Sequence, residues 1–171
     1  MPVYRKLGWK PSPPDIRNKK YSLTYPIHSL ATLPSSVDLR KTCPPVYDQG
    51  ELGSCTAQSV AGLAQFLLIK DKKPSYVPSR LFIYYNERVM ENSVKFDNGA
   101  TLISGMKVLR KFGAPHEKLW WYNEKKFTVK PNKKVYDDGL NHQIKEYLAV
   151  DNGNIEEIKT ILSEGYPLVF G

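Results

Sequence analysis

The segment from Gln49 to Cys55 contains residue types that together could perform nucleophilic chemistry. Its sequence is QGELGSC, and apolar residues at helical spacing follow it. A cysteine in the first turn of a helix lies near unpaired N–H groups and a partial positive charge, which stabilise its thiolate. Gly50 and Gly53 allow the preceding backbone to turn tightly and leave the sulfur accessible. The pattern predicts that Cys55 is a nucleophile.

The same segment could stabilise the negative charge that develops on a carbonyl oxygen under attack. The Cys55 amide can donate one hydrogen bond, and the Gln49 side-chain amide, brought back by the turn, can donate a second. The alternative is that Cys55 is a small buried apolar side chain, as most free cysteines are. The glycines and the helix start favour the nucleophile. Cys43 has no such setting and is interpreted as structural or incidental.

Helices must position this segment, and apolar periodicity predicts four of them. They cover residues 55 to about 70, 79–91, 100–112 and 155–164. Ser54 is the predicted N-cap of the first helix. Asn154 and Glu157 have the spacing of a capping box in the last, and Gly165 ends that helix. Strands are predicted at residues 143–150 and 166–170.

Residues 1–36 differ from the rest of the chain. Prolines are spaced through this segment and prevent long helices, so an extended leader is predicted. Trp9, Tyr21 and Tyr25 are spaced along it as possible anchors to a surface. The leader could therefore lie across the domain that follows it.

Length and composition limit the protein class. The chain has 171 residues, which favours one domain, and 41% apolar residues, which is enough for a hydrophobic core. It contains no stretch of 18 apolar residues, so no transmembrane helix is expected. No secretory signal peptide is visible, and two cysteines are too few for a disulfide-stapled secreted domain. We therefore expect an intracellular protein that does not act in a membrane.

The net charge of +8 is concentrated in residues 1–40 and 106–134. This charge could form a patch for nucleic acid or an acidic substrate, or it could be a solvated, lysine-rich surface. The second interpretation is favoured because lysine predominates and no nucleic-acid-binding motif accompanies it. No cysteine or histidine cluster has the spacing of a metal site, so no metal or organic cofactor is expected.

Longer motifs resemble those of the papain-like (C1 family) cysteine peptidases, in particular those of microbes and large viruses. The matching segments are LPSSVDLR at 33–40, CPPVYDQGELGSCTA at 43–57 and PSRLFIYYNER at 78–88. Gln49 lies six residues before Cys55, as it does in that family. Segments 119–122 and 165–171 match as well, so the resemblance covers almost the whole chain.

The resemblance implies an α+β papain-like fold and a peptide or protein substrate. Residues 1–36 would be a leader or prosegment, 37–165 the helical left-hand domain, and 166–171 the first strand of a β-rich right-hand domain. Asp97 to Ala100 resembles the family's glycine-rich wall, where a substrate main chain pairs with a backbone edge. The implied substrate-binding residues are Gly53, Ser54, Asn98, Gly99 and Ala100.

The family also requires a histidine as general base, oriented by an asparagine, in the second domain. His28, His116 and His142 do not have the family's sequence context, and each is interpreted as a surface or polar-contact residue. The chain is therefore expected to stop before that domain and to be inactive alone, with the C-terminal β domain as a possible separate partner chain. The alternative function is a non-catalytic module that keeps the peptidase scaffold and binds peptides.

Overall fold

The computed structural model describes residues 7–171, which form five α-helices, two very short strands and several 3₁₀ turns. The α-helices are α1 (Cys55–Lys70), α2 (Arg80–Met90), α3 (Leu102–Lys111), α4 (Lys133–Leu140) and α5 (Ile155–Ser163). The strands are β1 (Trp9–Lys10) and β2 (Ala100–Thr101), which pair in parallel. The 3₁₀ turns are Tyr21–Leu23, Leu30–Thr32, Arg40–Thr42, Glu117–Leu119 and Glu124–Lys126.

Helices α1, α2 and α3 pack against one another around the hydrophobic core. Helix α2 lies at its centre, because the four consecutive side chains from Leu81 to Tyr84 are fully buried. A surface helix would bury a single stripe, so this continuous burial indicates that α2 is covered on several sides. The described part of the chain is mainly helical.

The predicted helix boundaries are close to those of the structure. Helix α2 starts one residue after the predicted start, because the Ser79 side chain accepts a hydrogen bond from the Phe82 amide. Helix α3 starts two residues after the predicted start, because Ala100 and Thr101 pair with β1 and the Thr101 side chain then caps the helix. Asn154 caps α5 as predicted, and Gly165 follows that helix with φ +79°.

Two predicted caps differ in detail. Ser54 occupies the N-cap position of α1, but its side chain makes no capping hydrogen bond. Its hydroxyl instead lies 2.6 Å from the Tyr122 hydroxyl. Glu157 does not complete a capping box with Asn154; its Oε1 accepts a hydrogen bond from the Asp151 amide at 3.3 Å. In both places a tertiary or neighbouring partner replaces the local one.

The predicted strands at 143–150 and 166–170 are not strands in the structure. Within the first of these segments, Ala149 alone makes a bridge, parallel to Lys20. Helix α4 was not predicted. Its eight residues include two adjacent lysines, two aspartates and a glycine, which leave little apolar periodicity to detect. Its N-cap, Asn132, accepts a hydrogen bond from the Val135 amide.

The described part of the leader lies on the helical domain. Tyr21 is buried and its hydroxyl donates a 2.9 Å hydrogen bond to Glu164, whereas Trp9 and Tyr25 remain more than 40% exposed. Of the three predicted anchors, Tyr21 is thus the buried one. Over residues 7–171, no helix is both long and apolar enough to cross a bilayer.

Candidate active site

Cys55 is the first residue of α1, and it is partly exposed while its neighbours Ser54 and Thr56 are buried. The backbone amides of the first helical turn are therefore close to the sulfur, as the sequence predicts. The residues before it form an irregular loop in which Gly50 has φ +60°, a conformation that a side chain would strain. The structure thus places a free cysteine at the exposed start of a well-packed helix.

Gln49 is fixed at the other end of this loop by hydrogen bonds at both its backbone and its side chain. Its carbonyl oxygen accepts a 2.7 Å hydrogen bond from the Tyr122 hydroxyl. Its side-chain Nε2 donates a 2.9 Å hydrogen bond to the Leu52 carbonyl oxygen, three residues along the loop. This contact folds the amide back over the loop that leads to Cys55.

Tyr122 joins the two ends of the nucleophile loop, because its hydroxyl contacts both the Gln49 carbonyl and the Ser54 hydroxyl. Burial raises the pKa of Tyr122, so the hydroxyl remains protonated and able to donate. The loop is also held by Glu124, whose carboxylate accepts a 3.1 Å hydrogen bond from the Glu51 amide. Sequence analysis noted residues 119–122 only as a matching segment and did not identify this role of Tyr122.

Arg80 supports the loop from α2. Its guanidinium forms a two-pronged ion pair with Glu117, with N···O distances of 2.5 and 2.8 Å, and both side chains are nearly buried. The guanidinium also lies over the ring of Tyr122, 4.5 Å from its centroid, and donates to the Asp48 carbonyl oxygen. One cation thus connects α2, the start of the nucleophile loop and the segment that carries Tyr122.

The predicted glycine-rich wall lies beside this loop. The Gly53 amide donates hydrogen bonds of 3.0 and 3.2 Å to the Asp97 carboxylate. The Tyr84 hydroxyl, whose pKa burial raises well above its usual value, donates to the same carboxylate and accepts from the Gly99 amide. Gly99 has φ +76°. The structure therefore brings Gly53, Ser54, Gly99 and Ala100 together, and leaves Asn98 exposed.

The leader covers this wall. The Ala100 amide donates a 2.8 Å hydrogen bond to the Gly8 carbonyl oxygen, and Trp9 is paired with Ala100. Contact is so close that a Cβ on Gly8 would lie 1.8 Å from the Gly53 carbonyl oxygen. A Cβ on Gly99 would lie 1.7 Å from the Gly8 carbonyl oxygen. Three glycines therefore permit the leader to lie directly on the edge predicted to bind substrate.

Glu87 is an acidic residue near the site that sequence analysis missed. It lies on α2, is fully buried, and accepts a 2.9 Å hydrogen bond from the hydroxyl of Thr56, the residue after Cys55. Burial raises the pKa of Glu87 to about 8. Glu87 stands between Asn86 and Arg88 in the sequence, so its immediate neighbours gave no signal of a buried carboxyl group.

None of the three histidines contacts Cys55 in the part of the chain that the structure describes. His28 lies 3.6 Å from the Glu164 carboxylate. His116 hydrogen bonds to Asp138, and its ring stacks on Tyr76. His142 packs against the same tyrosine. These contacts agree with the interpretation of all three as residues outside the nucleophile's surroundings.

Comparisons with known proteins show which proteins the chain is similar to. No protein-family model matches the chain. It is 37% identical, over 99% of its length, to an uncharacterised peptidase C1-like protein of Acanthamoeba polyphaga mimivirus, and covers 61% of that protein. It is similar to xylellain, a cysteine protease from Xylella fastidiosa, with 39% identity and a TM-score of 0.84; the match covers 95% of this chain and 65% of xylellain.

More distant structures share the fold. The procathepsin L 3 of Tenebrio molitor larval midgut is 18% identical with a TM-score of 0.62, and the match covers 85% of this chain and 47% of that one. A mite allergen structure from the comparison of Blo t 1 and Der p 1 is 20% identical with a TM-score of 0.58. The chain spans about three fifths of the curated relative it matches. By sequence and by fold, the chain is similar to the papain-like C1 cysteine peptidases, and these likenesses confirm the predicted α+β papain-like fold class.

Proposed function

We propose that this chain supplies the nucleophile of a cysteine-type endopeptidase. The observation that carries the proposal is a partly exposed cysteine at the first residue of α1, approached by a loop that distant side chains hold in place. In the proposed reaction the Cys55 thiolate attacks the peptide carbonyl carbon, forming a C–S bond. The C–N bond then breaks, and the amine leaves with a proton. Water hydrolyses the resulting thioester, releasing the acid and the free thiol.

The proposed oxyanion site consists of the Cys55 backbone amide and the Gln49 side-chain amide. An amide at the start of a helix has no intrahelical acceptor, so it is available to a developing negative charge. The contact between Gln49 Nε2 and the Leu52 carbonyl supports this assignment by fixing the side chain over the loop.

A general base for this reaction is proposed to come from outside the 171 residues. His28, His116 and His142 are all held by other contacts, and none hydrogen bonds to Cys55. We therefore assign the base and its orienting amide to the β-rich domain of the papain-like fold, in the same polypeptide or in a separate chain. The 171-residue chain alone should hydrolyse a fluorogenic peptide negligibly. Robust hydrolysis that Cys55→Ala abolishes would contradict this assignment.

The nucleophile can be tested without a complete enzyme. Iodoacetamide labelling followed by mass spectrometry compares Cys55 with Cys43, which is the matched control because it is more exposed and lies outside any helix start. Once the leader is displaced, we expect the Cys55 thiolate to react with iodoacetamide faster than the Cys43 thiol at neutral pH. The Cys55→Ser substitution should remove this fast phase of labelling, and the Cys43→Ser substitution should leave it in place. Slower labelling of Cys55 than of Cys43 under those conditions would count against the nucleophile.

We also propose that the leader acts as a prosegment that blocks the substrate edge. Strands β1 and β2 are parallel, so a substrate that runs in the opposite direction along the same edge would add an antiparallel strand. The leader and a bound substrate would both need the Ala100 amide, which donates to the Gly8 carbonyl oxygen in this structure. Binding of the leader and binding of substrate are therefore mutually exclusive in this proposal.

Gly8→Ala tests the leader. The new methyl group would lie 1.8 Å from the Gly53 carbonyl oxygen, so the leader should leave the wall and Cys55 should become more accessible to iodoacetamide. Gly153→Ala is the matched control, because a Cβ there meets only the Asp151 carboxylate, at 3.4 Å. If Gly8→Ala leaves Cys55 labelling at the rate of Gly153→Ala, the prosegment proposal fails while the nucleophile proposal stands.

A further inference from the structure

A second group of chemically active side chains lies outside the nucleophile's surroundings. His116, Asp138 and His142 each offer one ligating atom, and these three atoms lie within 4.8 Å of one another. All three residues are partly buried. His116 and Asp138 are 22 positions apart in the sequence, so their spacing gave no indication of a site. The tertiary structure alone brings the three residues together.

The backbone around the three residues is well fixed. Asp138 lies in the last turn of α4, and His142 follows the end of that helix, where its amide donates a 2.8 Å hydrogen bond to the Gly139 carbonyl oxygen. The His116 amide donates to Asp138 Oδ2 at 2.9 Å, and His116 Nδ1 lies 3.0 Å from the same oxygen. The segment before His116 packs closely on α4, since a Cβ on Gly113 would lie 1.8 Å from the Gly139 carbonyl oxygen.

An aromatic side chain closes one side of the group. The Tyr76 ring stacks on His116 with a 4.0 Å centroid separation, and its centroid is 4.7 Å from that of His142. The two imidazoles meet edge to face, with centroids 4.9 Å apart. The Tyr76 hydroxyl donates to the Ala114 carbonyl oxygen at 2.7 Å. Both histidine rings are thus oriented by packing, with their polar atoms close to the Asp138 carboxylate.

We propose that His116, Asp138 and His142 bind a zinc ion, with a water molecule as the fourth ligand. Two imidazoles and one carboxylate form a donor set that suits zinc, whereas calcium and magnesium prefer oxygen ligands alone. Tetrahedral zinc with bonds of about 2.0–2.1 Å separates its ligand atoms by about 3.3 Å. His116 Nδ1 and Asp138 Oδ2 are already 3.0 Å apart, and all three ligating atoms lie within 4.8 Å of one another, so a small adjustment of the side chains would give this separation. The bound ion would cross-link the end of α4 to the segment that starts at Ala114.

The first experiment measures zinc binding to the wild-type chain. Cys43 and Cys55 could themselves bind zinc, so both thiols are first blocked with iodoacetamide and the protein is stripped with a chelator. Isothermal titration with zinc sulfate should give one site per chain. Free zinc about 100-fold above the dissociation constant should raise the melting temperature by about 5–10 °C. Magnesium and calcium at the same concentration should not. Absence of a stoichiometric zinc site, or equal stabilisation by calcium, overturns the proposal.

The second experiment locates the site. His142→Ala and Asp138→Asn should each weaken zinc binding at least tenfold, whereas His28→Ala, the matched control, should leave it unchanged. Unchanged binding in both site variants, or an equal loss in the control, overturns the assignment. Because either site variant could fold poorly, cobalt(II) added to the thiol-blocked wild type gives an independent readout. Intense four-coordinate visible bands without a thiolate charge-transfer band support the site, and an octahedral spectrum refutes it.

Discussion

Glu87 provides the sharpest test of the structure, because a buried carboxyl group makes stability depend on pH in a defined direction. The side chain has no exposed surface. Its Oε2 accepts from the Thr56 hydroxyl, and its Oε1 has no hydrogen-bond partner among residues 7–171. Burial has the largest effect on its pKa; the Thr56 hydrogen bond and the charge of Arg88 lower the pKa, and the charge of Glu91 raises it. Burial outweighs the two lowering effects and raises the pKa of Glu87 from 4.5 to about 8.

The direction in which stability changes with pH depends on whether the folded or the unfolded chain keeps the proton on Glu87. Below about pH 4.5 both the folded and the unfolded chain carry a protonated Glu87, and the stability it contributes is fully present. Between pH 4.5 and pH 8 the unfolded chain has lost the proton and the folded chain keeps it, so the free energy of unfolding falls as pH rises. One pKa unit corresponds to about 1.4 kcal/mol, so the loss between pH 5 and pH 8 is about 3 kcal/mol.

Glu87→Gln isolates this contribution from other titrating groups. The amide has the shape of the protonated carboxyl group but cannot ionise, so the variant lacks the pH-dependent loss. Urea denaturation at pH 5 and pH 8 should show that the stability of Glu87→Gln relative to wild type rises by about 3 kcal/mol between the two values. An unpaired amide hydrogen costs about 1–3 kcal/mol at either pH, and this offset cancels in the comparison.

The control for this measurement is Glu156→Gln, which changes an exposed carboxylate near the start of α5. Its stability relative to wild type should change by less than about 0.5 kcal/mol between pH 5 and pH 8. If Glu87→Gln shows no greater pH dependence than Glu156→Gln, Glu87 does not have a raised pKa. The reasoning from its burial would then be wrong.

Two further predictions concern hydrogen bonds at defined positions. Tyr122→Phe removes the hydroxyl that contacts Gln49 and Ser54, and should lower the free energy of unfolding by about 1–3 kcal/mol, measured by urea denaturation. Asn154→Ala removes the N-cap of α5 and should cost about 1 kcal/mol, or about 2–4 °C in melting temperature by circular dichroism.

Each of these substitutions has a matched control in the chain. Tyr25→Phe removes an exposed hydroxyl with a single 3.5 Å contact, to Glu146, so it should change stability by less than about 0.5 kcal/mol. Asn152→Ala changes an exposed asparagine outside any helix cap. A loss in Tyr122→Phe no larger than that in Tyr25→Phe would show that the Tyr122 hydroxyl does not hold the loop. If Asn154→Ala and Asn152→Ala lower the stability equally, the Asn154 side chain does not stabilise α5 as its N-cap.

Local patterns made much of the helical framework predictable. Cys55 was expected to open a helix because apolar residues follow it at helical spacing, and α1 begins at that residue. Asn154 and Gly165 mark the ends of α5 through contacts made within a few residues. The capping hydrogen bond expected from Ser54 is absent because its hydroxyl contacts the distant Tyr122 hydroxyl instead. The strand predicted at 143–150 failed because alternation in sequence cannot supply a neighbouring backbone edge to pair with.

Short-range spacing and backbone preference made the nucleophile loop and the helix that follows it predictable from the residues alone. Folding of the whole chain was needed to show that the Tyr122 hydroxyl joins Gln49 to Ser54 and that Gly8 lies against Gly53. The contact between His116 and Asp138 likewise appears only in the folded chain. These contacts join residues between 22 and 73 positions apart, and packing of the helices brings them together. A local sequence pattern carries no information about contacts between residues so far apart, so the side chains that hold the site could be identified only from the folded chain.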